Sequence, residues 1–140
     1  MIDIINPPHW QKPKGYANGV LADGRMLFTG GQIGWNENQV FESSDFVGQL
    51  GQTLANIAAI VRAAGGEVTD IVRLTWFITD REAYMASQRE AGEAYRRVMG
   101  RHFPAMSVVV VAGLIEEQAL VEIEATAIIG GSARGEGTRS

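Results

Sequence analysis

The chain has 140 residues, a length typical of one domain, and 46% of them are hydrophobic, which is enough for a substantial core. It has no cysteine, so disulfides, thiolate metal sites and cysteine nucleophiles are excluded. A net charge of −4 without any basic run argues against nucleic acid or an anionic membrane as the main partner. Since no secretory signal or long apolar stretch is present, we expect a cytoplasmic protein without a membrane span.

The N-terminal third is predicted to be extended. Prolines disfavour a helix over residues 7–13. Strands at residues 16–21 and 26–29 flank an Asp-Gly pair, which is a strong hairpin signal, so we expect these two strands to pair with each other. Two glycines then end the second strand and leave residues 32–35 as a loop or a further short strand.

A first amphipathic helix is predicted after this region. Ser43 or Ser44 can cap its N-terminus. Its apolar stripe consists of Phe46, Leu50, Leu54, Ile57, Val61 and Ala64. The Gly-Gly pair at residues 65–66 is predicted to end it, because glycine is favoured just after a helix C-terminus.

A strand and a second helix follow. Residues 71–78 are rich in β-branched and aromatic side chains, which favours a strand. Thr79 or Asp80 is expected to cap one helix that runs to about residue 99. The apolar face of this helix consists of Tyr84, Ala91, Tyr95, Val98 and Met99. Gln88 lies within about 20° of the centre of that face, so its amide either bonds to backbone or points into a site, and Arg89 lies about 100° further round.

The last strands complete an α+β fold. Consecutive valines favour a strand covered on both faces at residues 107–111, and residues 120–129 form the final strand. The order β-β-(β)-α-β-α-β-β gives one sheet with two helices on one face. The other face is expected to meet another subunit of a homo-oligomer. Residues 1–130 are predicted to form a single domain, followed by a disordered tail at 131–140.

Two carboxylates stand out in the last strand. Alternation places Glu122 and Glu124 on the face opposite the apolar residues, about 6.5–7 Å apart. At an effective dielectric constant near 20 two such charges repel by roughly 2–2.5 kcal/mol. If a neighbouring subunit encloses this face, one carboxylate needs a cationic or donor partner, or its pKa rises, as general acid–base catalysis requires. Alternation alone favours the simpler interpretation of a solvated strand face.

The glycines of residues 29–34 let the backbone approach a ligand and offer N–H groups to an anion, although a plain turn explains them as well. Their spacing is not that of a dinucleotide fingerprint. The two histidines, His9 and His102, lack the spacing of a metal-binding pair, so no metal site is expected. A serine-nucleophile elbow and a phosphate loop are also absent from the sequence.

Several segments together resemble the signatures of the Rid (YjgF) family, whose members are reactive-intermediate (enamine/imine) deaminases. These segments are Gly15-Tyr16, Phe28-Thr29-Gly30-Gly31-Gln32-Ile33, residues 72–80, Phe103-Pro104-Ala105 and residues 121–125. The match runs in the right order from about residue 5 to 129. It implies a chorismate-mutase-like fold and a homotrimer, with its sheets in a central barrel and its sites between subunits. The implied reaction is hydrolysis of an imine to ammonia and a carbonyl compound, without a metal or an organic cofactor.

The resemblance also assigns roles by position. Glu122 would orient or activate the water, Tyr16 would line the site, and the backbone around Gly30 and Gly31 would supply hydrogen bonds. Gln88 and Arg89 are alternative counterparts of a family asparagine, and helical phase favours Gln88.

The chain departs from the family pattern at the substrate-binding arginine. The archetypal Pro-Ala-Arg-Ser segment is Pro-Ala-Met-Ser here, so Met106, beside Ser107, replaces the arginine that grips the substrate carboxylate. Glu122 is therefore expected to face Met106 in the site. Gly30 stands where a serine is common, and the loop at 114–119 is one residue longer. Arg89 could replace the missing cation if it reached the pocket.

Three functions are compatible with these residues. The preferred one is an enamine or imine deaminase that acts on a non-archetypal small metabolite, for example of the aminomuconate type. The alternative is a non-catalytic trimer that binds a small metabolite for sensing or sequestration, which the loss of the arginine favours. A structural or chaperone-like role is the third.

Overall fold

The computed structural model describes residues 2–130, and the predicted tail at 131–140 lies outside them. The described elements are β1 (Ile2–Ile5), β2 (Gly19–Ala22), β3 (Arg25–Phe28), β4 (Gln32–Ile33), α1 (Phe46–Ala63), β5 (Ile71–Ile78), α2 (Arg81–Ala86), α3 (Gln88–Met99), β6 (Ala105–Val110) and β7 (Val121–Ile129). The α+β class is confirmed. Within the described part, no helix is long and apolar enough to cross a membrane.

A mixed five-stranded sheet forms the centre of the fold. Its strands lie in the order β3-β7-β5-β6, and β4 also pairs with β7. β7 is antiparallel to its neighbours, whereas β6 is parallel to β5. β4 is thus the short strand that was one of the two alternatives predicted for residues 32–35. In this register Glu122 lies opposite both Phe77 and Ile33, and Glu124 lies opposite Thr75.

The helices cover one face of the sheet. Leu50, Leu54 and Ile57 of α1 and Met99 of α3 form a buried cluster with the inward residues of β5 and β7. In β7 these inward residues are Val121, Ile123 and Ala125, which are buried, whereas Glu122 and Glu124 are not. The predicted alternation along the last strand is therefore confirmed.

The opposite side of the sheet is largely uncovered within residues 2–130, although Ala105 and Ile128 on it are buried, and we call it the open face. It carries Met26, Phe28, Arg73, Thr75, Phe77, Ser107, Val109, Glu122, Glu124 and Thr126, none of which is buried. β6 lies at one edge of the sheet, where Val109 and Val110 are 41% and 53% exposed. One chain covers a single face of this strand, and the covering of its other face by another subunit stays a prediction.

The first helix was predicted correctly, including its end at the Gly-Gly pair, except for its N-cap and for Ala64 in its apolar stripe. Asp45 caps α1, because its Oδ1 accepts a hydrogen bond of 2.7 Å from the Gly48 N–H. Neither Ser43 nor Ser44 is the cap; the Ser43 hydroxyl instead accepts from the Asp45 N–H at 3.2 Å. The helix ends before Ala64, which is exposed rather than part of the buried stripe, and the following glycine adopts a positive φ.

The second predicted helix is two helices. Asp80 caps α2 as predicted, accepting a hydrogen bond of 3.1 Å from the Ala83 N–H. The chain leaves helical geometry at Ser87, whose φ is −119° and ψ is 28°. The Ser87 hydroxyl donates to the Ala83 carbonyl at 2.6 Å, a local bond of the kind that competes with regular helical bonding. α3 then continues to Met99, so residues 2–130 contain three α-helices where two were predicted.

The predicted hairpin is wrong. β2 pairs with β1 and β3 pairs with β7, so the strands on either side of the Asp-Gly turn have different partners. Burial explains the choice for β3, because Leu27 packs against the main core when its strand lies beside β7. The two-stranded β1–β2 sheet was not anticipated, and it adds a second sheet to the single one predicted.

Candidate functional site

The Glu122 carboxylate lies against the backbone of Gly31 at the open face. A Cβ at residue 31 would overlap Glu122 Oε2 and would lie 2.7 Å from its Cδ. β4 fixes this approach, since Ile33 pairs with Glu122 in the sheet. Only a residue without a side chain allows such contact, so Gly31 is a positional requirement for the carboxylate. Glu122 forms no ion pair with another residue of 2–130.

A cavity of about 340 Å³ lies on the other side of the sheet, among α2, α3, β5 and β6, and we call it the helix-side cavity. Its lining consists of Lys14, Gly15, Trp76, Tyr84, Gln88, Ala91, Gly92, Tyr95, Arg96, Phe103, Met106 and Val108. Four aromatic rings form much of its wall. Tyr95 stacks on Phe103 and on Trp76, with ring centroids 5.3 and 6.4 Å apart, and Tyr84 meets Trp76 edge-on at 6.4 Å.

Two polar groups of this cavity are already hydrogen-bonded to backbone. The Tyr95 hydroxyl donates to the His102 carbonyl at 2.6 Å, and burial raises the pKa of Tyr95 well above its ordinary value, so the phenol stays neutral. The Gln88 amide donates to the Tyr84 carbonyl at 2.9 Å. Gln88 therefore bonds to backbone, which was one of the two alternatives predicted for it, and it also lines the cavity.

Three further polar side chains of the cavity lack an ion-pair or hydrogen-bond partner within the part of the chain that the structure describes. The indole N–H of Trp76 is buried and has no hydrogen-bond partner among the described residues. Lys14 and Arg96 are exposed and take part in none of the ion pairs found within residues 2–130. These three donors were not predicted as site residues. Lys14 directly precedes the Gly-Tyr signature, but nothing in the sequence alone connected it with α3.

The predicted site residues divide between the two faces of the sheet. Met106 lies opposite Leu74 on the helix side, whereas Glu122 and Ser107 belong to the open face. Within one chain Glu122 does not face Met106. Because the site is expected between subunits, the facing of these two residues stays a prediction.

The other predicted residues lie at the margins of these two groups. Arg89 is exposed, pairs with Glu93 at 3.7 Å and does not line the helix-side cavity. Tyr16 is 42% exposed and follows Gly15 of the cavity wall. Gly30 has open space where a Cβ would be. In residues 2–130 no cluster of three or more His, Asp or Glu side chains could hold a metal ion.

Comparison with known proteins identifies the family. The sequence profile described as Endoribonuclease L-PSP matches residues 10–129. The chain belongs to the Rid (YjgF) family. Among curated Rid relatives, a RutC family protein of Pasteurella multocida is 38% identical over 105 residues, which cover 75% of this chain and 81% of that protein. The 2-iminobutanoate/2-iminopropanoate deaminase of Escherichia coli is 39% identical over 105 residues, covering 75% and 80%.

Solved structures of Rid proteins have the same fold. A Rid protein of unknown function from Yersinia pestis, YyfB, superposes with a TM-score of 0.80 at 30% identity, covering 91% of this chain and 98% of that one. Escherichia coli TdcF with bound serine superposes with a TM-score of 0.65 at 33% identity, covering 91% and 99%. The recognition made from the sequence motifs is therefore confirmed.

Proposed function

We propose that this Rid protein is a homotrimeric imine or enamine deaminase that hydrolyses a small metabolite at its subunit interfaces, without a cofactor and in the cytoplasm. The observation that carries the proposal is the contact between the Glu122 carboxylate and the Gly31 backbone on the open face. The name of the Escherichia coli relative, a 2-iminobutanoate/2-iminopropanoate deaminase, supports the reaction class.

Glu122 would act on water. An imine carbon is electrophilic, and a carboxylate that accepts a proton from water makes its oxygen a better nucleophile. The water oxygen bonds to the imine carbon while the proton passes through Glu122 to the imine nitrogen. The hydroxyl proton of the resulting carbinolamine then passes to its amine nitrogen while the C–N bond breaks, giving ammonia and a carbonyl compound. The Gly30 and Gly31 backbone would hold the reacting atoms nearby, and Tyr16 would line the site.

The open face supports a trimer. Met26 and Phe28 are 62% and 66% exposed there, and Val109 is 41% exposed, an unusual concentration of apolar surface for a monomer. A chorismate-mutase-like trimer whose sheets form a central barrel would bury these side chains. It would also bring Glu122 of one subunit towards the helix-side cavity of the next, which one chain by itself cannot do.

The deaminase proposal predicts a specific loss of activity in Glu122→Gln. Imines are generated in situ by an amino-acid oxidase from several amino acids, and ammonia release is measured above the spontaneous rate. The amide cannot accept the proton from water, so we expect kcat to fall by about 10²–10⁴-fold. Glu124→Gln is the matched control, because it removes the same charge from the same face of β7, and we expect activity close to that of the native chain. Full activity in Glu122→Gln would contradict the assigned role.

The second candidate is a trimer that binds a metabolite without turnover. Met106 favours it, because methionine cannot make the bidentate pair with a carboxylate that arginine makes. It predicts saturable binding of a 2-oxo acid or an enamine, including the aminomuconate type, while mass spectrometry detects no product. Ammonia release that requires Glu122 would exclude it.

A further inference from the structure

We propose that the helix-side cavity selects an organic acid with an aromatic or bulky apolar group, whose carboxylate is bound by Lys14 and Arg96. The part of this inference that concerns an imine substrate rests on the proposed deaminase function. The binding preference itself does not, since a stable carbonyl analogue of the same shape and charge should bind equally.

The lining of the cavity fits an apolar group. A volume of about 340 Å³ lies within the range of small-molecule sites, which starts at about 300 Å³. Trp76, Tyr84, Tyr95 and Phe103 surround it with rings, and Met106 adds a flexible thioether. Aromatic pairs stabilise a bound ring by about 0.5–1.5 kcal/mol beyond the burial of its area. A two- or three-carbon chain would leave most of this wall without contact.

The charges of the cavity fit an anion. Two of its twelve lining residues, Lys14 and Arg96, are cationic and none is acidic, although the chain as a whole carries a net charge of −4. The Arg96 guanidinium folds back over Gly92, where a Cβ would lie 3.2 Å from Nη1. Gly92 therefore leaves room for the guanidinium at the cavity wall. Because neither cation has an ion-pair partner in residues 2–130, both are available to a ligand.

An unpartnered donor also favours a polar ligand. The Trp76 N–H is buried without a hydrogen-bond partner, a situation that costs roughly 1–3 kcal/mol in a folded protein. Trp76 belongs to the cavity wall, and its N–H becomes available to a ligand oxygen once the side chains that cover Nε1 move. The cavity thus combines an aromatic wall, an unpartnered N–H on one of its wall residues and two cations that come from different segments of the chain.

Titration calorimetry with three stable probes tests this preference on the full-length protein. Phenylpyruvate carries both the ring and the charge, phenylpyruvamide lacks the charge, and 2-oxobutanoate lacks the ring. We expect phenylpyruvate to bind about tenfold more tightly than 2-oxobutanoate, because the larger group buries more apolar surface. Lys14→Met and Arg96→Gln should each weaken the binding of phenylpyruvate by about three- to fivefold and leave the binding of phenylpyruvamide unchanged.

Matched controls make the result specific. Lys12→Met and Arg97→Gln remove the same charges from neighbouring exposed positions outside the cavity, and both should bind phenylpyruvate like the native chain. Met106→Arg should strengthen 2-oxobutanoate binding and remove the preference for the ring. Tighter binding of 2-oxobutanoate by the native protein, equal binding of the acid and the amide, or no binding of any probe would each overturn the inference. Absence of ammonia release with this binding pattern intact would refute only the deaminase proposal.

Discussion

Glu122 and Gly31 are in such close contact that a side chain at residue 31 would have to displace the Glu122 carboxylate. The atoms that a Cβ at residue 31 would meet are the flexible end of the Glu122 side chain, not backbone. A small side chain at position 31 can therefore be accommodated if the carboxylate moves. The contact is a means of positioning the carboxylate and contributes little to holding the fold together.

Gly31→Ala is accordingly predicted to reduce catalysis while sparing stability. Movement of a catalytic group by about 1 Å can lower a rate by about a hundredfold, and we expect kcat to fall by one to two orders of magnitude. The melting temperature should stay within a few degrees of the native value. Because both changes act on one carboxylate, Gly31→Ala combined with Glu122→Gln should be no slower than Glu122→Gln alone.

Gly34→Ala is the contrasting change. Its Cβ would lie 2.6 Å from Gln49 Cβ and 2.8 Å from Gln49 Cα, so backbone of α1 must move. Gln49 is buried and bonds to the Leu120 N–H at 2.8 Å, which makes this movement costly. We expect a large fall in melting temperature. Equal destabilisation by both alanines would contradict the positioning role of Gly31.

The sequence predicted the position of Glu122 in the proposed site, but it did not predict the two cations of the helix-side cavity. The face of Glu122 follows from the period-two alternation of a single strand, and β7 obeys it. The cations of the cavity could not be found in this way, because Lys14 and Arg96 line the same cavity only through tertiary packing. Each is an exposed basic residue within its own segment, and no local pattern distinguishes it from Lys12 or Arg97.

At the scale of secondary structure, the two glycines of α1 differ in how replacement by alanine should change the stability of the protein. Gly51 lies within the helix and has open space where a Cβ would be. At residue 48, in contrast, a Cβ would overlap Ser43 Oγ and would lie 3.0 Å from Asp45 Oδ1, the atom that caps the helix. The two positions are less than one turn apart, but only one of them supports the cap.

Gly51→Ala is predicted to stabilise the protein and Gly48→Ala to destabilise it. Alanine in a helix interior is favoured over glycine by about 0.5–1 kcal/mol. Disturbing the cap should cost about 1 kcal/mol. Urea unfolding at one fixed protomer concentration measures both, since the stability of an oligomer depends on concentration. A loss of stability in Gly51→Ala would show that this position is enclosed by a neighbouring subunit.

Local patterns predicted the elements but not their partners. α1 and β5 have strong periodicity and composition, and both lie where predicted. The hairpin failed because strand pairing was decided by burial of Leu27 beside β7, which is about a hundred residues away in sequence. At the break the Ser87 hydroxyl bonds to the preceding turn, and a continuous amphipathic pattern does not reveal this change of geometry.

The whole molecule presents the two halves of its proposed site on opposite faces of one sheet. Glu122 belongs to the open face, whereas Met106 and Gln88 line the helix-side cavity. Because these groups lie on opposite faces of the sheet, one chain cannot bring them to the same substrate. A second copy of the chain can, if its cavity meets the open face of the first. In a closed ring of three subunits, each site would then take one half from each of two neighbours.

Mixed trimers provide a direct test of this arrangement. Glu122→Gln removes the proposed catalytic carboxylate. Met106→Asp should prevent substrate binding, because it places a negative charge in the cavity that is proposed to bind an anion. Each variant alone must form a trimer of the 15.2 kDa chain by sedimentation and release little ammonia. When equal amounts are unfolded and refolded together, about a quarter of the interfaces combine an intact Glu122 with an intact cavity. We therefore expect about a quarter of native activity, whereas a site contained within one chain would give no recovery.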